Sequence, residues 1–216
     1  PAPSAPRVRG PQVNICSMSS AFPLLHPTQE LEPPGFPARF TIRFLALTAV
    51  RPGELRGARW DEFEGLHEAA PVWLIPAERM KMKRPHAVPL ARQAVEVIEA
   101  VRSLTGRLPF VFPNGRSGHK PMSENAMGYL LNRAGYHHRH VPHGWRAAFS
   151  SIMNERFPVD RHTIDLMLAH VSKDKVEGAY NRALHLPRRR ELAQAWADLL
   201  LDGAKSAIGL LSGSRR

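Results

Sequence analysis

Proline is distributed unevenly along this chain of 216 residues, and the distribution limits where a packed fold can begin. Nine of the 20 prolines lie within residues 1–37, where they remove backbone donors and bias preceding residues away from helix. We therefore expect an extended or disordered leader over 1–37. The same reasoning predicts one folded domain over 38–202 and a short tail over 203–216.

After Ala38 the apolar residues recur mostly at helical spacing. The clearest case is a helix over 91–105, with apolar residues along one face and Gly106 as its expected end. Short β-branched and aromatic runs at 72–75 and 87–88 flank a basic turn and predict a small antiparallel sheet. The expected fold class is α+β, mainly α, with one such sheet. Further helices are predicted over 38–50, from Glu54, and over 123–134, 142–156, 161–169, 176–183 and 188–200.

The charge of the chain points to a polyanionic partner. Lys and Arg number 30 against 19 Asp and Glu, which gives a net charge of +11, and all of it lies after residue 37. Nucleic acid is the expected partner, and a basic RNA-associated protein is the competing interpretation. The single Cys16 cannot form an internal disulfide, and neither a membrane span nor an export signal is visible. These features predict a cytoplasmic, nucleoid-associated protein with no membrane partner.

Three short motifs carry polar residues of the kind found in active sites. In the first, Arg51 follows an apolar helix and Glu54 lies three residues on. The second is His143-Gly-Trp-Arg146, at the start of a predicted helix. The third is Leu168-Ala-His170, followed ten residues later by Tyr180.

In this combination and order, the motifs resemble those of the tyrosine recombinases, most closely the integrases of prophages and genomic islands. The resemblance covers about residues 38–202 and implies the DNA breaking-rejoining catalytic fold of that family. Lys81 and Lys83 both lie in the basic turn, and counting back from Val88-Pro89 favours Lys81 as the family's hairpin lysine. The implied catalytic residues are Arg51, Lys81, His143, Arg146, His170 and Tyr180.

The chemistry of DNA strand cleavage asks for these residue types. Displacement at a phosphodiester builds negative charge on two non-bridging oxygens, which the planar guanidinium groups of Arg51 and Arg146 are shaped to hold. A third donor, His170, would assist them. Tyrosine has a reference pKa near 10, so Tyr180 needs a base, and His143 is the candidate. The hairpin lysine would protonate the departing 5′-oxygen.

The expected product of the attack is a 3′-phosphotyrosyl enzyme that a second DNA end can reverse. Because the bond energy is retained, this scheme needs no cofactor, metal or ATP. Glu54 would orient Arg51 or a histidine rather than react, since a second carboxylate would repel the phosphate. Outside the chemistry, we expect Lys83, Arg84 and His140 to contact DNA.

A histidine-rich run at 137–140, with His143 beyond it, also suggests a zinc site. Arg139 within the run would repel a cation, so a loop facing phosphate is the preferred interpretation and no metal is expected.

Integrases of this type carry a further DNA-binding domain before the catalytic one, and residues 1–37 do not resemble it. We therefore expect cleavage and ligation activity impaired by weak DNA binding, because affinity depends on the number of phosphate contacts. The competing hypothesis is a truncated, non-catalytic DNA-binding remnant. The predicted C-terminal helix would either pack in cis or join copies of the chain on double-stranded DNA, and the sequence leaves these two alternatives open.

Overall fold

The computed structural model describes residues 38–170, 185–204 and 206–207. The predicted leader over 1–37, the predicted helix over 176–183 and Tyr180 lie outside these described residues.

Helices make up most of the described chain. The bounds of the helices largely follow the predicted ones, although α2 begins two residues before Glu54 and α5 two residues after residue 142. None of the helices in the described part combines the length and apolar character needed to cross a bilayer. The α-helices are α1 (Ala38–Thr48), α2 (Pro52–Arg56), α3 (Arg92–Thr105), α4 (Ala126–Leu131), α5 (Gly144–Arg156), α6 (Arg161–Met167) and α7 (Leu186–Leu200).

The predicted small antiparallel sheet is confirmed and has three strands. It runs in the order β1 (Phe63–Glu64), β2 (Val72–Ile75) and β3 (His86–Pro89), with Trp73 opposite both Phe63 and Val88. Residues 76–85, here called the basic hairpin, connect β2 to β3. Its residues 81–85 are exposed, whereas His86 and the rest of β3 are buried.

The prediction of a single sheet was wrong, because a second antiparallel pair joins β4 (Pro113–Asn114) to β5 (Ser117–Pro121). The predicted helix over 123–134 was also too long. Its α-helical part is α4, and residues 132–136 form a wider turn in which Gly135 has a φ of 79°. This left-handed conformation is accessible to glycine without strain, and it ends the helix.

The core is assembled around α1, which packs against α3, α5 and α7. Aromatic rings fill the space between α1 and the sheet, with Phe44 5.7 Å from Trp73 and 5.9 Å from Phe112 between ring centroids. On the opposite side, Trp196 of α7 is fully buried and donates its Nε1–H to the Ala46 carbonyl at 2.8 Å. Helix α7 is thus an integral part of this core.

Two arginines hold the start of α7 onto the domain. Arg188 makes a two-pronged contact with Asp160, at 2.9 and 2.6 Å. Arg189 is buried and donates to the Ala87 carbonyl in β3. The apolar face of α7 and the two arginines of its first turn are therefore already occupied by contacts within the same chain.

Candidate active site

Arg51 lies at the start of α2, and Glu54, three residues further along the chain, fixes its orientation. Its Nη1 donates to Glu54 Oε1 at 2.8 Å and its backbone N–H donates to Glu54 Oε2 at 2.9 Å. Glu54 is only 3% exposed, while the Arg51 side chain is 23% exposed. The buried carboxylate therefore holds the guanidinium at the surface, as expected for a residue that orients Arg51.

Arg146 joins three segments that are distant in sequence. Its Nη1 donates to the Ala49 carbonyl at 2.7 Å and its Nη2 donates to the Leu168 carbonyl at 2.6 Å. Both carbonyls lie two residues before a predicted site residue, Arg51 in one case and His170 in the other. Arg146 is buried, and burial together with the charge of Arg51 lowers its pKa to about 10, so it remains charged at neutral pH.

His143 lies at the N-terminus of α5, near the two arginines. Its pKa is lowered by partial burial and by the positive charges of Arg146 and Arg51, while Glu54 opposes the shift. A histidine with a lowered pKa is neutral at pH 7 and can accept a proton. The structure therefore brings together Arg51 and Glu54 of the first motif with His143 and Arg146 of the second.

His170 lies just beyond the Leu168 carbonyl that Arg146 holds. Its side chain is 51% exposed, and its Nδ1 lies 3.2 Å from Asp165 Oδ1. This contact holds the ring through Nδ1 and does not involve Nε2. Tyr180, the predicted nucleophile, is outside the described residues.

The remaining basic residues predicted at the site lie on the basic hairpin. Lys81 and Arg84 are exposed, and Lys83 donates its Nζ to the Glu78 carbonyl at 3.2 Å. The Lys83 contact lies within the hairpin and stabilises its turn, in which Lys83 has a φ of 50°. Of the two lysines, Lys81 is the one whose ammonium has no such bond among the described residues.

His140 is half-buried and packs against the start of α5. Its ring lies 4.6 Å from the Trp145 ring and fills the space above Gly144, where an added Cβ would be 2.9 Å from the imidazole Cε1. Burial lowers its pKa. Across residues 38–170, 185–204 and 206–207, no three His, Cys, Asp or Glu side chains are grouped as metal ligands.

One buried histidine near the site lies outside the predicted catalytic residues. His86 begins β3, and its Nε2 lies 3.2 Å from the Met167 carbonyl, one residue before the carbonyl that Arg146 holds. Burial, with the charges of Arg189, Arg146 and Arg51 nearby, lowers its pKa to about 3. His86 directly precedes the predicted strand at 87–88, but nothing in the sequence showed that it would be buried with its ring against the Met167 carbonyl.

The neutral state of His86 predicts acid sensitivity of the fold. Between pH 6.5 and 3 the unfolded chain takes up a proton at this position and the folded chain does not, so stability falls as the pH falls. We expect this histidine to remove about 2 kcal/mol of unfolding free energy between pH 6.5 and pH 5. Urea unfolding of the wild type and His86→Gln at both pH values measures the difference.

The variant should show a weaker pH dependence than the wild type, because the other histidines remain in both proteins. Replacing the exposed His119 with Gln is the matched control and should keep the wild-type dependence. Identical pH dependence in His86→Gln and the wild type would contradict the assignment.

Comparison with solved structures identifies the class of fold. The crystal structure of a lambda integrase tetramer bound to a Holliday junction matches 79% of this chain and 50% of that chain, with a TM-score of 0.52 and 15% identity. The XerA recombinase matches 99% of this chain and 67% of that chain, with a TM-score of 0.52 and 14% identity. The fold is that of the tyrosine recombinases, as the motifs implied.

Sequence comparison identifies the family. Residues 23–185 match the model of the phage integrase family, and the chain belongs to that family. It is 44% identical over 159 residues to prophage integrase IntZ of Escherichia coli (strain K12), covering 74% of this chain and 38% of the relative. An integrase of Shigella phage Sf6 is 36% identical over 160 residues, covering 73% and 40% respectively. The chain therefore spans about two fifths of the length of these relatives.

Proposed function

We propose that this chain is the catalytic domain of a site-specific DNA recombinase that cleaves and rejoins strands through a tyrosine. The observation that carries the proposal is the position of Arg146. Through two carbonyl bonds it brings its own helix, the Arg51 turn and the His170 loop to one place. Membership of the phage integrase family supports a shared catalytic role for the motif residues.

In the proposed reaction, the Tyr180 oxygen attacks the scissile phosphorus while the bond to the 5′-oxygen breaks. His143 takes the phenol proton, because its lowered pKa keeps the imidazole in the neutral form that can accept one. Lys81 gives a proton to the departing 5′-oxygen. Arg51, held by Glu54, and Arg146 stabilise the charge on the non-bridging oxygens, with His170 as a further donor.

The proposed substrate is double-stranded DNA, and the net charge of +11 supports it. Lys83 and Arg84 on the basic hairpin are proposed phosphate contacts, and so is His140, which is half-buried against Trp145. A DNA substrate places the protein with the nucleoid. We also propose assembly of several copies on DNA. Because α7 packs in cis, its outer face or the chain after it would make the contact with a neighbour.

Covalent trapping tests the proposed activity. On a duplex nicked next to the cleavage site, the short cleaved strand diffuses away and religation is prevented. We expect a protein–DNA adduct at low salt, with the 3′-phosphate on Tyr180, detected by a gel shift under denaturing conditions and peptide mass spectrometry. The nicked duplexes carry the junction sequences at the ends of the genetic element that encodes the chain. Binding to these duplexes without any covalent product would contradict the proposal.

A further inference from the structure

A partly buried ionic cluster lies at the base of the basic hairpin, outside the motif residues. Glu62 is 8% exposed and accepts a hydrogen bond from the Trp73 indole at 2.9 Å. Arg79, two residues before Lys81, pairs with the same carboxylate oxygen through Nη2. Its other terminal nitrogen, Nη1, donates to the Glu54 carbonyl at 2.7 Å.

This second bond connects the hairpin to the arginine turn. Glu54 holds Arg51 with its carboxylate and receives Arg79 at its backbone carbonyl. One residue therefore fixes the proposed phosphate clamp and the base of the hairpin that carries the proposed proton donor. The buried Met80 side chain also anchors the hairpin, but an apolar contact does not fix direction as a two-pronged guanidinium does.

The space for Arg79 depends on the absence of a side chain at Gly57. A Cβ added there would lie 2.8 Å from Arg79 Nη1 and 3.3 Å from its Cδ. The backbone at Gly57, with φ −94° and ψ 8°, does not itself require glycine. The contact with Arg79 is thus the structural reason for a glycine at this position.

We propose that Arg79 is a positioning residue, which holds the basic hairpin so that the Lys81 ammonium reaches the departing 5′-oxygen. This inference rests on the proposed function, because it assigns Arg79 an effect that acts through Lys81. Removing Arg79 would leave the hairpin attached but its tip misdirected, so the loss would appear at protonation of the leaving group. Displacements of about 1 Å at a catalytic group are enough to cost large factors in rate.

A sulfur substitution in the DNA isolates this step. Where sulfur replaces the bridging 5′-oxygen, the leaving group is a thiol with a pKa near 8.5, and it departs without a proton. A variant deficient only in proton donation recovers its cleavage rate on this substrate. A variant whose phosphate clamp or fold is damaged remains slow on both.

We expect Lys81→Ala and Arg79→Met to slow single-turnover adduct formation on the oxygen substrate, by about 100-fold and at least about 10-fold respectively. Both should approach the wild-type rate on the sulfur substrate. Gly57→Ala should show the same pattern with a smaller loss, because it displaces Arg79 without removing any donor. It also serves where Arg79→Met fails to fold, as judged by urea unfolding.

Arg59→Met is the matched control. Arg59 belongs to the same region, but its exposed side chain contacts Asp61 and the Phe110 ring rather than the hairpin, so the cleavage rate of this variant should be unchanged on either substrate. If Lys81→Ala recovers its cleavage rate on the sulfur substrate while Arg79→Met and Gly57→Ala both remain slow, the role of Arg79 is overturned and that of Lys81 stands. Failure of Lys81→Ala to recover would overturn both.

Discussion

Replacing Arg146 with alanine is expected to lower both the stability and the activity of the domain. The Ala49 and Leu168 carbonyls would each lose a charged donor inside the protein, at a cost of about 1–3 kcal/mol each. The Arg51 turn and the His170 loop would no longer be tied to α5. Loss of one charge-stabilising donor also slows such reactions by a factor of about 100 or more.

Urea unfolding and the rate of adduct formation measure the two effects separately. Arg146→Lys should recover part of the stability, because one ammonium cannot reproduce the two-pronged contact of a guanidinium. Arg156→Ala, an exposed arginine at the other end of the same helix, is the control and should behave as the wild type. An Arg146→Ala protein with wild-type stability would show that the two carbonyl bonds do not hold the segments together.

Replacing Tyr180 with phenylalanine is expected to abolish the covalent adduct completely. The substitution removes one oxygen atom and leaves the ring, so DNA affinity should stay within about twofold while strand cleavage disappears. Denaturing gels report the adduct, and native gels with the same duplex report binding. The expectation rests on the motif and on the chemistry.

The two other tyrosines of the chain provide matched controls. Tyr129 is 61% exposed on α4, and the pKa of the largely buried Tyr136 is raised by desolvation, which makes it a poorer nucleophile. Tyr129→Phe and Tyr136→Phe should both retain the adduct. Loss of the adduct in either variant, with retention in Tyr180→Phe, would reassign the nucleophile.

Much of the fold could be predicted because its elements carry their own local signals. Helix α3 has an apolar face of regular spacing, and β2 and β3 are short runs of strand-forming residues. The β4–β5 pair was missed because its strands are polar and lack alternation. Its turn, Gly115-Arg116, does carry a signal, because Gly115 and the neighbouring Asn114 are residue types that favour turns.

The site was predictable in its residue types but not in its connections. Arg51 and Glu54 are three residues apart, so their contact follows from helix geometry. Arg146 contacts carbonyls 97 and 22 residues away, and a backbone carbonyl has no identity that a sequence pattern could reveal. Arg79 was missed for the same reason, because one of its two contacts is a hydrogen bond to the backbone carbonyl of Glu54.

The location of each proposed catalytic residue also bears on how such a gene would decay. Because Arg146 is shared between the interior and the proposed reaction centre, a mutation there would produce a poorly folded chain that cellular proteases remove. Lys81 is exposed, so its loss would leave the fold intact. Mutations at the two positions would therefore differ in the amount of folded protein that remains.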